Sequence, residues 1–94
     1  MFVLHVDLKV KAGSQKALEK TFNEIFRPAI SRQEGFGGVS LLRPREDGQD
    51  YRLTIAFESQ PLQQKWVATD LHQQVWPQME NHSAGYSINY YETV

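Results

Sequence analysis

The feature that most constrains the fold is a strict alternation of residue character at the start of the chain. Every second position of residues 2–11 is apolar, and these positions hold Phe2, Leu4, Val6, Leu8 and Val10. Successive side chains of a β-strand point to opposite faces, so this period of two predicts a half-buried strand with one apolar face. The rest of the chain must therefore supply a layer of structure that covers that face.

The period becomes helical between about residues 15 and 33. Apolar residues recur three or four positions apart here, namely Leu18, Phe22, Ile25, Ala29 and Ile30. Ser14 is placed to cap this helix and Gly35 to stop it. Pro28 falls inside the helix, and we expect a kink or a break there because proline has no N–H and clashes with the carbonyl four residues earlier.

Two strands and a second helical region follow. Residues 36–43 and 51–58 are predicted to be strands joined by a polar loop. The helical region comes in two pieces, of which the first begins near Pro61 and the second has Asp70 as its N-cap. We expect Pro77 to kink the second piece.

The order of elements predicts the fold class. With residues 86–91 as the last strand, the order is strand, helix, strand, strand, helix, strand, which indicates a ferredoxin-like α+β sandwich formed by residues 1–94 as one domain. One antiparallel sheet then carries helices on one face. The other face, which bears Val3 and His5, is commonly buried against a second copy, so we expect a homodimer through the open sheet face.

The composition excludes several classes of function. The chain has 94 residues, enough for one domain, and 10 basic against 11 acidic residues give a net charge of −1. Binders of nucleic acids or membrane surfaces usually present a basic face, so we expect neither partner. The lack of cysteine excludes a disulfide framework, a thiolate zinc site, an iron–sulfur cluster and a thiol nucleophile. No secretory or membrane-spanning segment is visible, and we expect a cytoplasmic protein.

Two polar clusters allow more than one interpretation. His5 and Asp7 leave the same face of the first strand, and with a distant histidine they could form a non-haem iron site. We favour the alternative, a polar pair on a solvated or dimer-facing surface without a metal. The basic cluster Arg43-Pro44-Arg45 could meet a carboxylate or a phosphate, or could belong to a solvated loop.

The most informative group of residues combines aromatic side chains with one histidine. His72 and Trp76 are four residues apart and are therefore neighbours on one helix face, and Trp66 comes from the preceding helical turn. Further aromatic side chains from the first helix and the third strand are Phe22, Phe26 and Phe57. The pattern predicts either an aromatic cavity with a single titratable group or a densely packed core, and the sequence leaves both open.

Several short motifs resemble those of one known family. They are Gln33-Glu34-Gly35-Phe36 before the second strand, Phe57-Glu58-Ser59 at the end of the third, and Trp66 followed by Thr69-Asp70 in the helical region. With the strands between them they cover nearly the whole chain, which resembles the antibiotic biosynthesis monooxygenase (ABM) domain. The resemblance implies a ferredoxin-like fold, a dimer whose two sheets pack into an α/β barrel, and a ligand cavity between each sheet and its helices.

Members of this family differ in what they do. Some are cofactor-free oxygenases of polyketide phenols or quinols, and others bind and degrade haem. The resemblance aligns the Trp of the haem-degrading members with Trp66 and their His with Trp76. It aligns their strand-one Asn with Val6, or with Asp7 if the alignment is shifted by one residue. It aligns the Asn and the Trp of the phenol-oxidising members with Leu53 and Phe57.

Three functional hypotheses follow. The first is a cofactor-independent monooxygenase of a small aromatic or quinol-type substrate, in which Trp66 and Trp76 shape the cavity and His72 transfers a proton. The second is a non-catalytic dimer that binds a small hydrophobic metabolite or haem in the same cavity. The third is a haem oxygenase that uses His72 as a displaced ligand.

Overall fold

The computed structural model describes residues 1–94 as a four-stranded sheet with helices on one face. In chain order the elements are β1 (Phe2–Val10), α1 (Gln15–Thr21), a π-helical segment (Phe22–Phe26), α2 (Arg27–Ile30), β2 (Phe36–Leu42), β3 (Tyr51–Phe57), α3 (Gln60–Val67), α4 (Asp70–Glu80) and β4 (Ser83–Glu92). None of the helices is long and apolar enough to span a bilayer. The predicted order of strands and helices is confirmed.

The strands lie in the order β2–β3–β1–β4, and every neighbouring pair is antiparallel. On the central strand β1, Leu4 pairs with Ile55 of β3 and with Tyr90 of β4. Directly paired residues share a face of the sheet, so these three side chains all face the helices. The next pair, His5 and Thr54, lies on the open face. This arrangement confirms the ferredoxin-like α+β fold.

The helices and the covered sheet face enclose one hydrophobic core. β1 and β3 alternate between buried and more exposed positions along most of their length, as the sequence predicts. The largest fully buried side chains are Phe22, Phe26, Phe57, Leu8, Leu18, Ile30, Leu53 and Met79. No residue of the edge strand β4 is buried. The helices therefore cover β1 and β3 well and leave β4 largely open.

The first helical region accommodates Pro28 without breaking at the proline itself. The turn before it widens into the π-helical segment, where the Arg27 N–H donates to the Phe22 carbonyl five residues earlier. Pro28 then lies in the first turn of α2, where its missing N–H costs least. A π-helical turn absorbs the mismatch inside the helix. The region ends at Ile30, and Gly35 adopts a φ of 77° before β2.

Of the two predicted N-caps, that of α1 is confirmed in its position and that of α4 is not. Ser14 occupies the N-cap position of α1, but its side chain forms no capping hydrogen bond. The predicted cap of α4 is wrong, because Thr69 and not Asp70 is the N-cap and accepts a hydrogen bond from the His72 N–H at 3.1 Å. Asp70 is the first helical residue, where its charge favours the helix dipole. α4 also continues past Pro77, with buried side chains of the same helix on both sides of the proline.

A polar network joins α1 to the β2–β3 region. The Arg43 guanidinium donates two hydrogen bonds to the Glu19 carboxylate, and the Tyr51 hydroxyl donates a third at 2.6 Å. The Arg43 hydrogen bond, followed by that of Tyr51, lowers the pKa of Glu19 to about 2. Arg43 of the basic cluster therefore binds a carboxylate, which is one of the two interpretations of the sequence.

We predict that Glu19→Gln makes the stability of the protein less sensitive to acid. The folded state depresses the pKa of Glu19 below its ordinary value of 4.5. Its contribution to the free energy of unfolding is therefore complete above that value and is lost as the pH falls toward the folded-state pKa. We measure the free energy of unfolding by urea denaturation and circular dichroism from about pH 6 to about pH 3. It should fall less steeply with decreasing pH in the variant than in the wild type.

The control for this prediction is Glu24→Gln. This change removes an exposed carboxylate from the neighbouring π-helical segment and should keep the wild-type dependence on pH. If Glu19→Gln lost stability with acid as steeply as the wild type and the control, the network would not carry the predicted acid sensitivity.

Candidate functional site

A cavity of about 240 Å³ lies between the covered face of the sheet and helices α3 and α4. Its lining residues are Leu4, Val6, Phe26, Ile55, Gln63, Trp66, Val67, His72, Trp76, Tyr86, Ile88 and Tyr90. All of them are hydrophobic except Gln63 and His72. An apolar cavity with a few polar groups is the usual form of a small-molecule site.

A second, larger groove of about 710 Å³ runs along the surface by the β2–β3 loop. Polar and charged side chains line most of it, and its only hydrophobic lining residues are Val10 and Tyr51. Its central carboxylate, Glu19, already accepts hydrogen bonds from Arg43 and Tyr51. The smaller apolar cavity is therefore the better candidate site.

The floor and the entrance of the cavity follow from the sheet register. Val6 pairs with Ile88, and the next helix-facing pair toward the chain start is Leu4 and Tyr90. Because the helices leave β4 uncovered, Tyr86, Ile88 and Tyr90 stay 42%, 38% and 58% exposed. Side chains of β1 thus form the floor, and those of β4 form an accessible apolar entrance.

Helix α3 supplies three lining residues at helical spacing, Gln63, Trp66 and Val67. Ser59 caps the helix by accepting a hydrogen bond from the Leu62 N–H, and Pro61 stands in the first turn, as the sequence predicts. Gln63 and Trp66 are three residues apart and therefore share a face. Trp66 is only 2% exposed, so its ring is fixed by the packing around it.

One hydroxyl group fixes the junction between α3 and α4. Thr69 Oγ1 donates to the Trp66 carbonyl at 2.7 Å and accepts from the His72 N–H at 3.1 Å. The Trp66 and His72 rings then meet edge to face, with centroids 5.0 Å apart and planes at 86°. The capping interaction of α4 thus also sets the relative position of the two site residues.

Edge-to-face contacts continue from this pair around the cavity. The further centroid distances are 6.2 Å for Phe26–Trp66, 6.3 Å for Phe26–Trp76 and 5.3 Å for Trp76–Tyr86. All lie within the range in which aromatic rings attract one another. We call the five rings of His72, Trp66, Phe26, Trp76 and Tyr86 the aromatic wall. These contacts hold the wall in place before any ligand binds.

His72 is the only titratable imidazole of the cavity. It is half-buried, and this burial lowers its pKa from the ordinary value of 6.5. The Gln73 amide nitrogen lies 3.4 Å from Nδ1, the long limit of a hydrogen bond, and already donates to the Val67 carbonyl at 2.9 Å. Burial therefore favours the neutral imidazole near pH 7, and its unprotonated ring nitrogen can accept a proton.

The structure brings together four of the six residues that the sequence singled out. Four of them both line the cavity and belong to the aromatic wall, namely Trp66, His72, Trp76 and Phe26. Trp66 belongs both to the hydrophobic core and to the lining of the cavity.

Two of the predicted lining residues do not lie in the cavity. Phe57 is fully buried at the end of β3 and packs edge to face on Phe36. Phe22 lies one helical turn before Phe26, where it packs against that ring and under the Arg27 guanidinium. Both face the core as predicted, but at positions along their elements that the cavity does not reach.

Sequence reasoning missed several lining residues. Gln63 was not singled out, although its spacing of three residues from Trp66 puts both on one helix face. Tyr86, Ile88 and Tyr90 were assigned to the last strand without a role, although their alternation places them on one face. Only the strand order shows that this face is the one under the helices.

His5 and Asp7 lie on the open face of the sheet, away from the cavity. Arg52 donates two hydrogen bonds to the Asp7 carboxylate, at 2.8 Å and 3.3 Å. The structure contains no group of three or more His, Cys, Asp or Glu side chains that could hold a metal ion. Asp7 thus forms an ion pair on the open face of the sheet.

Comparison with known proteins gives a family and a fold. The sequence model of the antibiotic biosynthesis monooxygenase family matches residues 1–77. No curated protein sequence gives a significant match. The structure of the haem-degrading protein MhuD from Mycobacterium tuberculosis, with two haems bound in its active site, is 27% identical with a TM-score of 0.81, and the match covers 100% of this chain and 96% of MhuD.

A mutant of SnoaB, a cofactor-independent oxygenase from Streptomyces nogalater, matches with 16% identity and a TM-score of 0.87 over 98% of this chain and 91% of that one. At this identity the likeness shows the fold alone. The family match, in contrast, spans most of the chain and includes the motifs around Gly35, Phe57 and Trp66. The chain therefore belongs to the antibiotic biosynthesis monooxygenase family.

Proposed function

We propose that this protein is a cofactor-independent monooxygenase of small phenols or quinols. The observation that carries the proposal is the cavity, in which one neutral imidazole, that of His72, lies among apolar and aromatic side chains. Such a site can take a flat aromatic molecule out of water and can remove its hydroxyl proton. The volume of about 240 Å³ suits a substrate of one or two rings.

The proposed reaction converts a phenol with a hydrogen at the para carbon, together with O₂, into a quinone and water. The unprotonated ring nitrogen of His72 accepts the phenol proton. The phenolate gives one electron to O₂, and the resulting radical and superoxide combine through a new C–O bond at the para carbon. The peroxide then takes the proton back from His72.

The second half of the reaction completes the balance. His72 removes the remaining hydrogen of the para carbon as a proton, the electron pair forms the new C=O bond, and the O–O bond breaks. Hydroxide leaves and receives the proton from His72, which gives water. Because the substrate supplies all the electrons, the protein needs only to position it, move protons and keep water out.

Haem is the ligand that the MhuD likeness suggests as a second candidate. His72 could ligate its iron, which favours this reading. The cavity of about 240 Å³ is smaller than a tetrapyrrole requires, however, and Trp76 occupies the position that the resemblance assigns to the haem-ligating His. The residues that line the cavity therefore do not fit haem. A non-catalytic binder of a small hydrophobic metabolite would use the same cavity without turnover.

We also propose that the protein is a homodimer through the open face of the sheet. Val3, Thr54 and Ala56 give this face small, half-buried side chains, and the apolar side chains of Leu42 and Tyr91 are 51% and 49% exposed on it. A sheet face that helices do not cover and that exposes large apolar side chains among its polar ones can be buried against a second copy.

The dimer proposal predicts that wild-type protein sediments as a dimer and that Thr54→Glu sediments as a monomer. Thr54 lies between His5 and Ser40 in the middle of the open face, where a buried carboxylate without a partner would oppose association. Gln64→Glu, an exposed change on α3, is the matched control and should remain dimeric. Analytical ultracentrifugation measures this, and a wild-type monomer would contradict the proposal.

The proposed chemistry predicts a particular pH dependence. His72 must be neutral to accept a proton, and burial lowers its pKa below 6.5. The value of kcat/KM should therefore stay constant as the pH falls to about 6.5 and decrease only below it. His72→Ala should lower kcat by about 10² to 10⁴ and abolish this acid limb.

Oxygen uptake with 1-naphthol as the probe measures this dependence. The control is His82→Ala, because His82 lies outside the cavity and hydrogen-bonds Thr21 Oγ1. It should keep both the rate and the acid limb. An acid limb that persists in His72→Ala would remove His72 from the mechanism.

A further inference from the structure

Gln63 is the only buried residue of the chain that is polar. It is 8% exposed and lines the cavity. Its backbone N–H donates to the Ser59 carbonyl at 3.2 Å. Its side-chain amide, in contrast, has no hydrogen-bond partner in the protein. The amide atoms are accessible, because the one fully buried side-chain polar atom without a partner is His5 Nδ1. Since Gln63 lines the cavity, its free amide can hydrogen-bond a ligand that enters there.

The surroundings of Gln63 restrict what that partner can be. Apart from His72, every other lining side chain of the cavity is hydrophobic. Gln63 lies one turn before Trp66 on α3. The ring of His72, on α4, contacts the ring of Trp66. The lining tryptophans and tyrosines add only indole N–H and hydroxyl groups at the edges of large apolar rings. The cavity therefore offers one amide and one imidazole to a ligand that is mostly apolar.

An amide has a chemical property that an ionised side chain lacks. Its carbonyl oxygen accepts hydrogen bonds, its NH₂ group donates them, and it is uncharged at every physiological pH. It can therefore bind a hydroxyl through its oxygen and a carbonyl through its nitrogen. A ligand oxygen that is a hydroxyl in one oxidation state and a carbonyl in the other can be bound in both.

We propose that Gln63 is the residue that selects the ligand of this cavity, by hydrogen-bonding an oxygen substituent on a one- or two-ring aromatic molecule. The statement that this oxygen alternates between hydroxyl and carbonyl rests on the proposed function. The recognition of the oxygen by Gln63 does not. An aromatic hydrocarbon of the same shape leaves the amide unpaired, and the site discriminates against it.

Ligand binding tests this proposal without any turnover. Dissociation constants are measured under anaerobic conditions from the quenching of Trp66 and Trp76 fluorescence, with 1-naphthol, 1,4-naphthoquinone and naphthalene as probes. Wild-type protein should bind the two oxygenated probes at least about tenfold more tightly than naphthalene. Gln63→Leu, of similar size, should lose this preference and bind naphthalene as well as wild type or better.

A second variant separates the two hydrogen-bonding functions of the amide. Gln63→Glu keeps an acceptor and loses the NH₂ donor, so it should bind 1,4-naphthoquinone less well relative to 1-naphthol. Gln64→Leu changes the exposed neighbour on α3 and should leave all three constants unchanged. Thermal melts show that each variant is folded.

The outcomes distinguish this proposal from the proposed function. If Gln63→Leu and Gln63→Glu bind all three probes as wild type does, or weaken all three equally, Gln63 has only a structural role and the proposal is overturned. Failure of wild type to bind any probe also overturns it. If wild type prefers the oxygenated probes through Gln63 but consumes no oxygen with 1-naphthol, the recognition is supported and the monooxygenase function fails.

Discussion

The side-chain hydroxyl of Thr69 joins α3 to α4 by donating to the Trp66 carbonyl and accepting from the His72 N–H. On an uninterrupted helix, residues six apart are rotated by roughly 240° from one another and could not face the same cavity. The break at Thr69 resets this rotation and lets two consecutive helices present Trp66 and His72 side by side. The aromatic wall, and with it the candidate site, depends on this junction.

The position of the cavity follows from a mismatch between the two layers of the fold. The helices bury the apolar sides of β1 and β3 and leave the edge strand β4 open. Side chains therefore line the space beside β4 without filling it. Tyr86 and Tyr90 stand at this opening. A site of this kind is enclosed by residues that also form the core, which explains why Trp66 and Phe26 serve both.

The sequence predicted the strands and the shared helix face of His72 and Trp76, because both depend only on the spacing of residues. It could not predict that Phe22 and Phe57 lie beyond the cavity, since periodicity gives the face of an element and not the neighbour across from it. The π-helical segment before Pro28 and the cap at Thr69 depend on which hydrogen bonds compete locally. Gln63 was missed because a glutamine on a helix is usually exposed, and only the packing shows it buried.

Under the proposed function, the protein inserts oxygen into an aromatic substrate held against the aromatic wall. Turnover of 1-naphthol under ¹⁸O₂, followed by mass spectrometry of the product, tests it most directly. We expect 1,4-naphthoquinone with one ¹⁸O atom per molecule and the second ¹⁸O atom in water. Binding of 1-naphthol without product, or a quinone whose new oxygen comes from water, would contradict it.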